Sequence, residues 1–420
     1  MEEMKQMIQR LLGIPNINIL SVEIDPQNQV SITVESTMER TICHQCGRDL
    51  TAFHSLDDPI RLRHLPMLGH KTYIIIRPKR YLCEHCPNQP KTTQKPDWYS
   101  SKSRCTKAYE QHLLLSLVNS TVQDVSRKEA IGYKTVEAVV ERLINEKVDW
   151  ERIKQLRPKI LGIDEIARLK GRQNYVTIIT LRLADGAIIV LAVLADRKKE
   201  TVKEFLKLMP EEVKKKIKTV CTDMYRGFTE AAKEELSGAR LVVDRFHVAK
   251  MYREDADDLR KSEMRRLKKE LSEEDYGELK GVMWVFRKNE ADLPAEEQAQ
   301  LEKLFSYSPA LEKTYRFREE LTAIFEKKQS KKQAKKEINQ WQEHVRRSGL
   351  KCFDKFLKTL DEWMEEITNY FVKRNTSGFV EGLNNKIKVL KRRCYGIPNV
   401  VHFFKRIILD IEGYRMFATN

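Results

Sequence analysis

The 420-residue sequence predicts a multidomain α+β protein. Three observations support this prediction: short alternating strands with paired cysteines near the N-terminus, a later succession of strands and helices, and a long, highly charged, helix-forming segment. Changes in composition divide the chain into an N-terminal region, a pair of short helices, an α/β core and a helical insertion into that core. Their expected bounds are 1–100, 105–148, 156–250 together with 370–415, and 251–369.

The net charge of +16 indicates what kind of molecule the protein binds and says little about its fold. An excess of cations this large favours a polyanionic partner, and we expect nucleic acid rather than a membrane. The uninterrupted aliphatic runs are short, such as Ile74–Ile76, whereas a spanning helix needs about 20 apolar residues. The N-terminus carries acidic residues early and lacks the apolar core of a signal peptide, so we expect a soluble, non-secreted protein.

The N-terminal region combines a predicted hairpin with two Cys-x-x-Cys pairs. Residues 20–34 alternate apolar and polar positions on either side of a turn at 25–28. Each cysteine pair follows a predicted strand, and four converging thiolates bind zinc tetrahedrally in a closed structural site. Four buried free cysteines would not need this spacing twice, and we expect the neighbouring His44 and His85 to face solvent. The predicted Zn²⁺ ligands are Cys43, Cys46, Cys83 and Cys86.

Two short amphipathic helices are predicted between residues 121 and 146. Thr121 is suited to cap the first, Gly132 lies in the turn, and the second begins near Lys134. The pattern is typical of a helix-turn-helix, whose second helix enters the major groove of DNA, although helical hairpins are also common in bundles. The residues expected to be exposed on the second helix are Lys134, Thr135, Glu137 and Arg142, and of these Lys134, Thr135 and Arg142 are the candidates for DNA contact.

The α/β core begins after Pro158 with an apolar strand. Two further strands form a hairpin around an Asp-Gly turn at 185–186, and a helix at 199–209 precedes a fourth strand, another helix and a fifth strand. This order of elements is that of an RNase H-like core. Residues 246–370 then form the helical insertion, in which we expect Trp284 and Phe286 to lie in the helical core and not to stack on a base.

Two aspartates stand at the ends of apolar strands in this core. Asp164 ends the first strand and Asp223 the fourth, and burying a charge there is costly unless a cation compensates it. If the two strands are neighbours, divalent metal would hold both carboxylates ionised. Each aspartate alone also fits a turn or a helix cap. Glu165 should point to the opposite face of the sheet, Asp244 is a rival second ligand, and His247 either braces the fold or contacts DNA.

Glu381 is the only acidic residue between positions 367 and 409, a stretch with nine lysines and arginines. A helix capped by Thr376 or Ser377 would place an apolar stripe inward, at Phe379, Leu383, Ile387 and Leu390. Glu381 would lie off that stripe, beside amide and ammonium groups suited to phosphate, although it also fits an ordinary surface position. The candidate phosphate-binding residues are Asn384, Asn385, Lys388, Lys391, Arg392 and Arg393.

Asp164, Asp223 and Glu381 together offer only oxygen ligands, which suit Mg²⁺ or Mn²⁺. Two such ions activate a water or a 3′-hydroxyl and stabilise the leaving oxygen in a phosphodiester displacement. We therefore predict a catalytic site with two divalent ions.

Several motifs make the sequence similar to bacterial insertion-sequence transposases of the ISL-three family. They are CHQCG, RHLP, YLCEHC, LGIDE, TDMYRGF, VVDRFHV, GFVEGLNNKIKVLKRRCYGIPN and HFFKRIIL, with the helix-turn-helix at 121–146. The resemblance implies DDE chemistry by Asp164, Asp223 and Glu381, with hydrolysis at the transposon end followed by attack of the 3′-hydroxyl on target DNA. It also implies that the N-terminal modules recognise terminal inverted repeats. The loose stretch PNQPKTTQKPD after Cys86 departs from the family's pattern and leaves the edge of the zinc module open.

Two other functions remain possible at this point: an inactive sequence-specific DNA-binding protein, and an RNase H-like nuclease that cuts without joining. Because all three acids are present, we favour the transposase. Bringing two ends together implies a homodimer or a higher oligomer on DNA. The expected location is the bacterial cytoplasm, associated with the nucleoid.

Overall fold

The computed structural model describes residues 2–145, 147–167, 175–374, 378–397 and 399–418, and for residues 2 and 379–381 it describes the backbone alone. The chain divides into two compact units, one formed by Met1–Asn145 with Lys405–Asn420 and the other by Glu146–Phe404. No helix among these residues is both long enough and apolar enough to span a membrane.

In the described part of the first unit, an N-terminal helix is followed by nine strands and then by helices. In chain order it contains α1 (Glu2–Leu12), β1 (Ile17–Ile24), β2 (Val30–Ser36), β3 (Thr41–Ile42), β4 (Asp49–Leu50), β5 (Phe53–Leu56), β6 (Ile60–Met67), β7 (His70–Ile76), β8 (Lys79–Leu82), β9 (Lys91–Thr93), α2 (Lys107–Leu117), α3 (Val122–Lys128) and α4 (Tyr133–Leu143).

A four-stranded sheet of order β1-β2-β7-β6 forms the first layer of this unit. The predicted hairpin is confirmed, since β1 and β2 pair antiparallel. Asp25 shapes the turn because its Oδ1 accepts hydrogen bonds from the backbone N–H groups of Gln27 and Gln29, at 2.9 and 2.8 Å. Alternate residues of the strands, including Ile32 and Ile74, are fully buried, so the period-two pattern of the sequence gives this sheet its core.

Helices α2, α3 and α4 follow the sheets. Thr106 caps α2 and Thr121 caps α3, each accepting a hydrogen bond from a backbone N–H in the first turn. Gly132 precedes α4. The two-helix pattern predicted from the sequence is confirmed, and α4 starts at Tyr133, one residue before the expected position.

The second unit has an α/β part and a larger all-helical part. Its elements are α5 (Trp150–Gln155), β10 (Pro158–Ala167), β11 (Tyr175–Leu183), β12 (Ile188–Leu194), α6 (Lys199–Lys207), α7 (Glu211–Lys216), β13 (Thr219–Thr222), α8 (Arg226–Glu235), β14 (Arg240–Val243), α9 (Arg245–Glu270), α10 (Glu273–Glu278), α11 (Val282–Arg287), α12 (Ala295–Tyr307), α13 (Pro309–Glu326), α14 (Lys331–Ser348), α15 (Asp354–Thr368), α16 (Tyr370–Lys373) and α17 (Gly378–Arg393); α18 (Val400–Phe417) follows, and its residues from Lys405 onward group with the first unit.

The five-stranded sheet has the order β12-β11-β10-β13-β14. Strands β10, β11 and β12 pair antiparallel, and the Asp-Gly hairpin expected between β11 and β12 is present, with Gly186 at φ +91°. Strands β13 and β14 continue the sheet parallel to β10. The carboxyl ends of β10, β13 and β14 therefore lie side by side at one edge of the sheet.

Helices α9 to α16 share an apolar core with strands β10, β13 and β14, which contribute Ile160, Cys221 and Val242 among others. The prediction for Phe286 is confirmed, since it is only 1% exposed, but the prediction for Trp284 is wrong, since it is 65% exposed. Helix α11 buries Val282, Val285 and Phe286, which are spaced three and four residues apart on one side. Position 284 lies on the other side of this short helix, where the Arg287 guanidinium lies 5.8 Å from the centroid of the Trp284 ring.

Candidate functional site

Four cysteines converge in the small sheets of the first unit. Cys43 and Cys46 follow β3, Cys83 and Cys86 follow β8, and the four Sγ atoms all lie within 4.8 Å of one another. Gly47 closes the first knuckle at φ +70°, where its N–H donates to the Cys43 carbonyl at 3.0 Å. The tight backbone turn at each Cys-x-x-Cys pair thus brings the two sulfurs of that pair together.

The chemistry of this cluster fits a structural zinc ion. The backbone N–H of Cys46 lowers the pKa of the Cys43 thiol to about 6, which favours the thiolate form that binds zinc. Burial raises the pKa of the Cys86 thiol to about 12, so this thiolate needs a nearby cation. His44 and His85 are exposed, and the His44 ring is hydrogen-bonded to Thr92 at 2.9 Å, so neither replaces a cysteine. Strand β9 lies in the stretch after Cys86 that was expected to be loose, and it pairs with β8.

The second helix of the helix pair presents its predicted residues in different ways. Lys134 is exposed, and Thr135 and Glu137 are half-buried. Arg142 donates a hydrogen bond to Oε1 of Glu110, a carboxylate on α2 that is 0% exposed. Ser103 donates to the same oxygen. The guanidinium of Arg142 therefore compensates a buried charge and fixes α4 against α2.

Helix α18 contributes charged side chains to the same unit. Lys405 contacts the carboxylate of Glu141 on α4. Arg406 donates to the carbonyl of Ser120 at 2.8 Å, and Asp410 accepts from the N–H of Asn119 at 3.2 Å. Our sequence reasoning missed this contact. The sequence feature that could have indicated it is the presence of Lys405, Arg406 and Asp410 within the otherwise apolar run HFFKRIILDI.

Asp164 and Asp223 lie next to each other in the second unit. Ile163 on β10 is paired in register with Thr222 on β13, and the two aspartates are the next residues along the parallel strands. Burial, the largest cause, raises the pKa of Asp164, and it raises the pKa of Asp223 to about 6 with a further contribution from the charge of Asp164. The strand order predicted from the sequence is what brings these carboxyl groups together.

Oxygen atoms at this edge of the sheet lack partners. Among the described residues, Oδ1 of Asp223 and Oδ1 of Asn384 are buried and accept no hydrogen bond. A buried oxygen without a donor is costly, and a divalent cation is the partner that a carboxylate and an amide oxygen share. The donor set therefore fits Mg²⁺ or Mn²⁺, with Asp164 and Asp223 as its carboxylates.

The rival acids occupy neighbouring positions. Asp244 follows β14 at the same level as Asp223 and is 2% exposed; its Oδ1 accepts from the N–H of Phe246 at 3.1 Å and so caps α9. Glu165 is bonded to Arg197 at 3.1 Å. His247, in the first turn of α9, lies close enough to Asp164 and Asp223 for its charge to lower the pKa of both.

Helix α17 reaches the same edge through Asn384. Leu383, Ile387 and Leu390 are buried, as the predicted stripe requires. Asn384 lies at the border of this stripe and is only 5% exposed, and its Nδ2 donates to Oδ2 of Asp164. Glu381 is a backbone position in α17, one turn before Asn384. Its side chain and that of Phe379 lie outside the described residues, as do the expected caps Thr376 and Ser377.

The cations of α17 lie farther along the helix. Asn385, Lys388 and Arg392 are exposed, whereas Lys391 and Arg393 are half-buried. Nζ of Lys391 donates to the carbonyl of Ala167, the last residue of β10, at 2.7 Å. Lys391, one of the predicted phosphate-binding residues, therefore contacts the strand that carries Asp164.

Comparison with known families gives three matches along the chain. Residues 161–407 match a family model described as a transposase of the DDE ISL3 type. Residues 94–144 match the helix-turn-helix domain of transposase family ISL3, and residues 39–86 match the zinc-finger of transposase IS204/IS1001/IS1096/IS1165. The three matched segments contain the helix pair, the cysteine cluster and the aspartates described above.

Individual proteins are similar over most of the chain. The transposase for insertion sequence element IS1001 from Bordetella parapertussis is 27% identical over 393 residues, which cover 93% of each chain. The transposase for insertion sequence element IS1557 from Mycobacterium tuberculosis is 22% identical over 397 residues, or 89% of this chain and 86% of the relative. A Drosophila P element transposase strand transfer complex aligns with a TM-score of 0.42 and 10% identity, covering 72% of this chain and 91% of that one.

Proposed function

The chain belongs to the ISL3 family of DDE-type insertion-sequence transposases, and from that premise we propose that it binds the terminal inverted repeats of its element, cuts the DNA there and joins the freed ends to target DNA. The observation that carries this proposal is the adjacent placement of Asp164 and Asp223 at the ends of two parallel strands, where Oδ1 of Asp223 is buried and, among the described residues, has no hydrogen-bond partner.

The proposal takes the five-stranded sheet and its helices, with α17 and α18, as an RNase H-like core that carries a helical insertion. The order β12-β11-β10-β13-β14, with three antiparallel strands followed by two parallel ones, is consistent with that core. The helices between β14 and α17 would be the insertion. We retain the domain bounds 1–100, 105–148, 156–250 with 370–415, and 251–369 as part of the proposal.

Asp164, Asp223 and Glu381 would hold two Mg²⁺ or Mn²⁺ ions, and these ions would activate the attacking water or 3′-hydroxyl and stabilise the leaving oxygen. The protein's own contribution is positioning. Asn384 orients the carboxylate of Asp164, and Glu381 lies three residues before Asn384, a spacing that puts both positions on one side of a helix. Burial of Asp164 and Asp223 limits the access of water to both groups.

DNA recognition would be divided between two sets of residues. Lys134 and Thr135 on α4 would contact the terminal repeat, with the zinc module beside them, and Arg142 would position α4. Asn385, Lys388, Lys391, Arg392 and Arg393 on α17 would bind phosphates near the scissile bond. We propose that a homodimer or higher oligomer brings two ends together, and that the protein acts on chromosomal DNA in the bacterial cytoplasm, at the nucleoid.

The test is a strand-transfer reaction with the full-length protein and a duplex that ends in the terminal repeat flanking its gene. With Mg²⁺ present, an intact end should be cut and a pre-cleaved end with a free 3′-hydroxyl should become joined to target DNA. Cutting without joined product would support an RNase H-like nuclease instead. Specific binding without either product would support an inactive DNA-binding protein.

A further inference from the structure

Tyr395 lies directly after α17 and is 98% exposed. Its backbone has φ +53° and that of Gly396 has φ +89°, so two consecutive residues occupy the left-handed region. That region is natural for glycine and disfavoured for an aromatic residue. Because the ring buries almost no surface within the fold, its presence at such a position is not explained by protein stability, and this combination is typical of a functional residue.

Three cations, Lys388, Lys391 and Arg392, lie in the last two turns of α17. The backbone N–H of Tyr395 donates to the carbonyl of Arg392 at 3.1 Å, and that of Gly396 donates to the carbonyl of Lys391 at 3.0 Å. Lys388 and Arg392 are exposed. Burial, followed by the charges of Lys388 and Arg392, lowers the pKa of Lys391, which indicates that the three groups are close enough to repel one another. An anion bound between them would relieve this repulsion, and phosphate is the anion that such clusters of Lys and Arg bind.

The position of this cluster relative to Asp164 follows from two hydrogen bonds. Asn384 bonds to Asp164, and seven residues later Lys391 bonds to the carbonyl of Ala167, three residues along β10. Seven helical residues and three strand residues each span about 10 Å, so α17 runs beside the end of β10 in the same direction. The amine of Lys391 therefore lies about 10 Å from Asp164, within a few nucleotides along a DNA strand.

We propose that Tyr395 with Lys388, Lys391 and Arg392 forms a binding site for an unpaired nucleotide of the DNA end, in which the ring stacks on the base and the cations hold adjacent phosphates. The inference rests on the proposed function, since it takes Asp164 to mark the scissile phosphate. Aromatic stacking next to cations is how proteins hold single-stranded DNA without reading its sequence. Bases within a duplex stack on one another, so only an unpaired base offers a face to the tyrosine ring.

The experiment uses the full-length protein, a fluorescein-labelled oligodeoxythymidine and a blunt duplex of equal length, with binding followed by fluorescence anisotropy. Tyr395→Ala should weaken binding of the oligodeoxythymidine by about 5- to 100-fold and change duplex binding by less than about twofold. Tyr395→Phe keeps the ring and should bind both DNAs like the wild type. Tyr414→Ala is the matched control, because Tyr414 is also exposed, at 62%, but lies on α18.

The variant Tyr395→Gly tests whether weaker binding could result from a loss of protein stability. Tyr395→Gly should raise the melting temperature, because glycine accepts the left-handed backbone, while it weakens oligodeoxythymidine binding as much as Tyr395→Ala does. Wild-type affinity of Tyr395→Ala for the single strand would overturn the proposal. An equal loss on the blunt duplex would overturn it as well, because the ring would then act on paired DNA.

This measurement is independent of cleavage. Should Asp164→Asn still cut DNA, the proposed catalytic function fails and the binding result for Tyr395 is unaffected. Should Asp164→Asn abolish cutting while Tyr395→Ala binds the single strand normally, only the nucleotide site fails.

Discussion

The side-chain amide of Asn384 donates a hydrogen bond to a carboxylate oxygen of Asp164, and this contact ties helix α17 to the end of strand β10. The two residues are 220 positions apart in the chain, with the helices α9 to α16 between them. The bond leaves Oδ1 of Asn384 buried and, among the described residues, without a donor. Asn384 is thus a positioning residue. Its Oδ1, like Oδ1 of Asp223, is a buried acceptor without a hydrogen-bond donor among the described residues.

Replacing Asn384 should separate catalysis from DNA binding. We expect Asn384→Ala to lower the cleavage rate by about 10- to 100-fold, because Asp164 loses the donor that orients it. Affinity for the terminal repeat should stay within about twofold, since α4 is unaltered. Asn339→Ala is the matched control, because Asn339 is exposed on α14, outside the proposed site, and this variant should cleave at the wild-type rate. Equal rates for both variants would remove Asn384 from the site.

The raised pKa of Asp223 predicts a pH dependence of stability in divalent-free buffer. The native carboxyl group has a pKa of about 6, above its ordinary value of 3.8, so the folded state holds its proton more tightly than the unfolded state does. The free energy of unfolding should therefore fall as pH rises from about 4 to 6 and stay level above that range. Asp223→Asn should show a smaller fall, because only the raised pKa of Asp164 then remains, and its advantage over the wild type at pH 8 should be about 1–3 kcal/mol.

Urea denaturation at pH 5 and pH 8, in buffers freed of divalent ions without a chelator that would strip zinc, checks this prediction. Mg²⁺ at pH 8 should stabilise the wild type and not the Asp223→Asn variant. Asp185→Asn serves as the control, because Asp185 lies in the exposed turn between β11 and β12. A wild-type stability that rises between pH 5 and pH 8 relative to Asp223→Asn would contradict the burial argument.

The cysteine cluster predicts one zinc ion per chain. Cys83→Ser should lose the metal and weaken binding of the terminal repeat, because a structural zinc site contributes folding free energy directly. The measurement is zinc content by mass spectrometry together with DNA affinity. Cys352→Ser is the control, since Cys352 lies in the helical core near Thr314 and outside the cluster. A full complement of zinc in Cys83→Ser would exclude this ligand set.

Arg142 and Lys134 should behave differently although both were expected to touch DNA. Arg142→Gln leaves the buried charge of Glu110 unpaired and should destabilise the first unit by about 2–3 kcal/mol, less than a fully buried pair because the arginine side chain is 28% exposed. Glu110→Gln in the same protein should restore part of that loss. Lys134→Gln should leave stability unchanged and reduce the slope of log affinity against log salt by about one.

Thermal unfolding and salt titrations of DNA binding distinguish a positioning residue from a phosphate contact. They compare the wild type, Arg142→Gln, the double variant Arg142→Gln/Glu110→Gln and Lys134→Gln. A reduced salt slope in Arg142→Gln with unchanged stability would make Arg142 a phosphate contact and not a positioning residue.

Much of the fold could be predicted because local patterns are strong in this sequence. Period-two alternation marked β1 and β2, the Asp-Gly turn marked the hairpin of β11 and β12, and Thr121 with Gly132 marked the helix pair. The order of strands implied that Asp164 and Asp223 are neighbours. The role of Glu381 in the site stays a prediction, because its side chain lies outside the described residues.

Other features could not be read from local patterns. Trp284 was expected in the core, but α11 is too short to bury both sides, and its buried positions are 282, 285 and 286. A contact of Arg142 with DNA stays a prediction, but no pattern in the sequence indicated its hydrogen bond to Glu110, a carboxylate 32 residues earlier. Both outcomes depend on which neighbour a helix packs against, and a one-dimensional pattern carries little information about that choice.

The amino-acid sequence alone determined the modules, the cysteine spacing, the basic character and the strand ends that carry the acids. These features arise from backbone periodicity and from charge, which act between residues close in the chain. Only the tertiary structure decided that Asn384 meets Asp164, that Arg142 belongs to Glu110 and that the end of α18 packs with the helix pair. Such contacts join residues tens to hundreds of positions apart, and they form only where packing offsets the entropy of closing the intervening chain.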